Sequence, residues 1–147
     1  MQYKTRLETQ MSDYKAPLTD IRFALKHVFD MENFWSSLGD EVELDWDTAD
    51  AVLEEAGKIC EQVIGPLNQE ADEEGAHFNS GEVTSPKGFK EAYRIFCEGA
   101  WGALGGNPEY GGMGMPKTMV STVEEMIQGS CISFGLAPML TAGACLA

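Results

Sequence analysis

From Ala49 to Leu67 the apolar residues Ala49, Val52, Leu53, Ala56, Ile59, Cys60, Val63 and Leu67 recur every three or four positions, while Asp50, Glu54, Glu55, Lys58 and Glu61 fall between them. This spacing lays a continuous apolar stripe along an α-helix and turns the charges away from it. A helix of that length has to bury its stripe against other elements, so the chain is committed to a helical core. Asp47 is expected to be the N-cap, with Asp50 three residues on to suit the helix dipole. Gly65-Pro66 is expected to kink or end the helix, because proline has no N–H to donate.

Helical spacing returns elsewhere. Between Pro17 and Phe29, Ile21, Ala24, Leu25 and Val28 form one side of a short amphipathic helix, with Asp20, Arg22 and Lys26 on the other. Ser85 and Pro86 read as N-cap and first helical residue of a helix that buries Phe89, Ala92, Tyr93, Phe96 and Ala100 and ends at Gly99, Gly102 and Gly105-Gly106. A further helix is expected from Pro116 to about Gln128, with Met119, Val120, Val123, Met126 and Ile127 inward and Gly129 closing it.

The intervening stretches lack a period. Met31 to Trp46 mixes Phe34, Trp35, Leu38, Val42 and Leu44 with Gly39 and acids, and reads as a connector whose aromatics plug the core. Residues 71–84 are polar and glycine-punctuated, a surface loop with a brief extended piece. Residues 105–114, GGNPEYGGMG, contain five glycines, which calls for positive φ or close backbone approach at several places. The expected architecture is all-α, about five helices without an alternating strand run.

With 147 residues, 44% hydrophobic and 23% charged, the chain is one domain's worth of foldable sequence. A net charge of −14 repels phosphate backbones and anionic lipid, so nucleic acid is not an expected partner. All ten basic residues lie at or before Lys117, and residues 130–147 carry no charge. Apolar residues lie on every side of a helix drawn through that tail, and such a helix expects to be surrounded. A membrane span is the rival reading, but Ser130, Ser133, Gly135, Pro138, Thr141 and Gly143 dilute the segment and no basic anchor flanks it. Cys60, Cys97, Cys131 and Cys145 form no C-x-x-C pair and His27 and His77 stand far apart, so neither a metal site nor a disulfide framework is indicated. The start lacks the apolar core of a secretory signal, which makes the cytoplasm the expected compartment. Met11 would also serve as a start, so residues 1–10 are expected to be an upstream extension or a cloning-derived segment.

A long acidic helix, DEEG before a loop, SPKGF opening a helix that ends in GAWGALGG, and then NPEYGGMG follow one another in an order similar to the amino-terminal helical domain of acyl-CoA dehydrogenases. Pro108 to Gly114 corresponds to that family's glycine-rich loop, and SFGLAPMLTAG, from Ser133 to Gly143, resembles its next buried helix. Tyr14 to Leu25, YKAPLTDIRFAL, resembles an extra segment of one branch, which includes enzymes for medium- to long-chain acyl-CoA and for methylthiopropionyl-CoA. On this resemblance residues 11–46 are the branch segment, and 47–147 are the helical domain, incomplete and truncated before the middle β domain.

The resemblance implies an enzyme of several hundred residues that dehydrogenates acyl-CoA thioesters between the α and β carbons. FAD is held mainly by the later domains, and the glutamate that takes the α-proton lies far downstream of these residues. The present sequence is therefore expected to contribute no catalytic residue, no cofactor-binding residue and no metal ligand, to retain no FAD by itself, and to be inactive alone. The full enzyme is expected to be a homo-oligomer with acyl-CoA as substrate. The resemblance also places Leu136, Met139, Leu140 and Gly143 along the acyl chain, although core packing explains the same composition.

Other readings are weaker. The glycine loop follows no strand and holds Glu109, unlike a phosphate cradle. Asp72, Glu73 and Glu74 are consecutive and point different ways, as on a solvated face. A non-catalytic acidic interaction module, or a carrier keeping only an apolar groove, are the alternatives to the enzyme.

Overall fold

The computed structural model describes residues 13–39 and 42–146, so the expected extension over 1–10 lies outside the described residues. Helix α1 (Leu18–Phe23) runs on through a π turn (Ala24–Val28) to α2 (Met31–Ser37). Helix α3 (Trp46–Ile59) continues through a π turn (Cys60–Ile64) and a 3-10 turn (Gly65–Leu67) into α4 (Asn68–Glu74). A hairpin of β1 (His77–Asn79) and β2 (Glu82–Thr84) leads to α5 (Phe89–Glu98), and α6 (Lys117–Ser130) and α7 (Ile132–Leu146) complete the order. Among the described residues the architecture is all-α apart from this one antiparallel pair, in which Phe78 faces Val83.

Helix α3 is the central element. Ala49, Leu53, Ala56, Ile59 and Cys60 are buried, and Met119, Val123, Met126 and Ile127 of α6 join them in one core with Trp35 and Ile64. The cap, however, is Asp45 and not Asp47. Asp45 stands in extended backbone and its Oδ1 accepts the Thr48 N–H at 2.7 Å. A capping carboxylate must precede the first helical residue, and burial of the Trp46 ring draws that residue into the helix.

Three acids on the polar side of α3 and its π turn, facing away from the stripe as expected, find partners in the amino-terminal segment. Arg22 of α1 donates from Nε to Asp50 at 2.5 Å and from Nη2 to Glu54 at 2.8 Å. Glu61 accepts from Lys15 Nζ at 2.9 Å and from the Ala16 N–H at 3.0 Å. Together they fasten the amino-terminal segment along α3, where Gly57 permits the close approach: a Cβ there would sit 3.3 Å from both Ala16 and Leu18. Lys15 first and the Ala16 amide second hold the Glu61 carboxyl below its usual value of 4.5. A lowered folded value means that this stabilisation is complete above pH 4.5 and is lost as pH falls through the folded value. Glu61→Gln should therefore be less stable than the parent by about 0.5–1 kcal/mol at pH 7, with the difference closing on acidification; urea titrations at pH 7 and below pH 4 measure it.

Proline 66 does not end the helix. Its missing donor falls where the π turn passes into the 3-10 turn, and those two changes of register carry the break while the chain stays helical to Glu74. Residues 71–74 are accordingly helix rather than loop, and the brief extended piece expected after them is the hairpin. The Met31–Trp46 connector contains α2, a helix too short to show a period, whose Trp35 is fully buried. Helix α5 starts at Phe89, not at Pro86. Glu74 accepts the Lys87 N–H at 2.9 Å, and Gly88 then turns at φ +90°, where a Cβ would meet Leu67 at 2.6 Å. Gly129 lies inside α6 rather than closing it, with the Tyr14 ring 3.4 Å from where its Cβ would stand; the chain turns at Cys131 in extended backbone.

Candidate functional site

Helix α7 packs on α6, on α4 and on the 3-10 turn Trp101–Ala103 that follows α5. Its anchor is Phe134, buried with its ring centroid 5.7 Å from Phe89, 5.9 Å from Phe96 and 6.4 Å from Tyr93. The first two pairs are edge-on, the arrangement that aromatic quadrupoles favour. Beyond this cluster α5 and α7 diverge and leave an open groove of about 260 Å³ between Tyr93, Phe96, Cys97 and Ala100 on one side and Pro138 and Thr141 on the other. Small residues make the space. Ala100 bends the chain at φ +55°, and Gly102 and Ala103 present almost no side chain to it.

Leu136, Met139 and Leu140 are 49%, 40% and 70% exposed, and Gly143 faces open space. None of the four lines this groove. Phe134, Pro138 and Thr141 share the groove side at a spacing of four and three residues, and that period was present in the sequence. It was hidden because the rest of α7 is apolar too, so hydrophobicity did not distinguish one face from another.

Among the described residues no charged side chain lines the groove, so it offers an apolar ligand an uncharged wall but neither an acid nor a base. Its polar side-chain groups are the Tyr93 and Thr141 hydroxyls and the Cys97 thiol, and the neighbouring Cys97, then burial, pushes the phenol up from its ordinary value. Burial drives the Cys60 thiol up to about 12, which keeps it protonated and unreactive at neutral pH. Cys60 and Cys131 are buried and Cys97 and Cys145 exposed, all four free. A thiol reagent such as DTNB should therefore label two cysteines rapidly in the folded chain and four in denaturant; equal reactivity of all four without denaturant would contradict the core described above.

The glycine loop is held by its own backbone. Met113, Gly114 and Met115 donate to the carbonyls of Ala103, Gly106 and Leu104 at 2.9, 3.0 and 2.9 Å, and Asn107 accepts from Gly112 at its carbonyl and from Glu109 at its side chain. Gly106 and Gly112 cross so closely that a Cβ on Gly112 would lie 2.1 Å from the Gly106 carbonyl. With those amides already engaged and no cation in the groove lining, the loop and the groove do not fit the diphosphate of a flavin dinucleotide. Among the described residues no group of three metal-ligating side chains is assembled, and no helix is long and apolar enough to cross a membrane. Asp72, Glu73 and Glu74 lie exposed on α4, as a solvated face requires.

No family model matches the chain. Individual relatives do. It is 40% identical over 131 residues to a 3-methylmercaptopropionyl-CoA dehydrogenase of Ruegeria pomeroyi, covering 89% of this chain and 22% of that protein. A butyryl-CoA dehydrogenase of Syntrophomonas wolfei is 34% identical over 136 residues, with 90% and 22% covered. The broad-specificity linear acyl-CoA dehydrogenase FadE5 of Mycobacterium tuberculosis is 29% identical over 122 residues, with 82% and 20% covered. The chain thus spans about a fifth of the length of the curated relatives it matches. Helical architecture and these alignments agree, and the chain is similar to the amino-terminal helical part of acyl-CoA dehydrogenases.

Proposed function

We propose that this sequence is the amino-terminal helical portion of an FAD-dependent acyl-CoA dehydrogenase, which introduces an α,β double bond into an acyl-CoA thioester. The observation that carries the reading is 40% identity sustained over 131 residues with a relative named for that activity. In the proposed enzyme these helices shape and dry the acyl side of the site. An uncharged wall suits a hydrocarbon tail, where each buried methylene is worth about 0.8 kcal/mol. Leu136, Met139, Leu140 and Gly143 belong to the same proposal as acyl-lining candidates on the outer side of α7, facing parts of the enzyme beyond this sequence. On this reading no step of the oxidation is assigned to these residues, and the 147-residue chain alone is inactive and flavin-free. The same reading makes the whole enzyme a cytoplasmic homo-oligomer.

The test compares two products of the reading frame that carries this sequence: one at the length of the relatives and one ending at Ala147. The longer product should purify yellow and be bleached anaerobically by butyryl-CoA or 3-methylmercaptopropionyl-CoA. The shorter should purify colourless and reduce no dye. A longer product without flavin overturns the enzymatic reading and leaves an acidic helical interaction module in its place. Stoichiometric flavin and dye reduction by the shorter product overturn its inactivity.

A further inference from the structure

We draw no further inference here: the strongest candidate, the exposed apolar stripe of Ile132, Leu136 and Leu140 along α7, carries nothing because nothing in the structure shows what covers it.

Discussion

Trp35→Ala should cost the folded chain about 3–5 kcal/mol, seen as a large drop in the urea midpoint at unchanged slope. Trp35 is the largest side chain with no exposed surface, and its Nε1 donates to Thr118 Oγ1 at 3.1 Å. That one residue joins α2 to the start of α6, so its removal opens a cavity between two elements that are far apart in sequence. Stability of a domain is of order 5–15 kcal/mol, which leaves the variant close to unfolding at ambient temperature. Two controls separate the contributions. Thr118→Val removes the hydrogen-bond acceptor while keeping the volume, and should cost about 1 kcal/mol. Phe34→Ala, next door but half exposed, should stay within about 0.5 kcal/mol. Equal costs for Trp35→Ala and Phe34→Ala would mean that α2 is not docked as described.

Gly112→Ala should be the most damaging single-methyl addition in the chain. The new Cβ would fall 2.1 Å from both the carbon and the oxygen of the Gly106 carbonyl, and neither is a flexible side-chain end that can swing aside. Relief requires the two backbones to separate, which breaks the hydrogen bonds from Gly112 to Asn107 and from Gly114 to Gly106. Overpacking of ordinary cores costs about 1–3 kcal/mol, and a backbone clash with those losses belongs at or above the upper end. Gly111→Ala is the informative comparison. Gly111 sits at φ +84° with nothing within 4 Å of a Cβ, so only the left-handed conformation is penalised, about 1–2 kcal/mol. Denaturation midpoints in the order parent, Gly111→Ala, Gly112→Ala support a loop held by backbone crossing; the reverse order would locate the constraint in φ alone.

That comparison marks how far the sequence was legible. Five glycines in ten residues announced a tight loop, and Gly111 and Gly114 do turn at positive φ. Which glycine is needed for approach rather than for φ depends on Gly106 and Gly112 meeting across the loop, a distance that no local pattern encodes. The α3 stripe was readable because helical burial repeats within one element. The partners of its acids were not, since Arg22 reaches Asp50 and Glu54 only after α1 has crossed the helix. Gly129 illustrates the same limit. In sequence it has the form of a helix stop, and in the fold it sits within α6 beside the Tyr14 ring.

The candidate site divides in the same way. Family resemblance put candidate residues on the last helix, none of which lines the groove, and the charge-free run itself was visible in composition. The groove was not, because any face of α7 is apolar enough to be the one that packs. Sequence alone determined the helical class, the main stripes, the glycine loop and the resemblance to acyl-CoA dehydrogenases, all of which rest on local periods and contiguous motifs. Tertiary structure decided the Asp45 cap, the passage through Pro66, the ion pairs of α3 and the Pro138–Thr141 wall. Each of these depends on which surfaces meet: burial of a neighbouring ring, a compensating register change or the approach of a second helix selects among conformations that local propensity leaves close in energy.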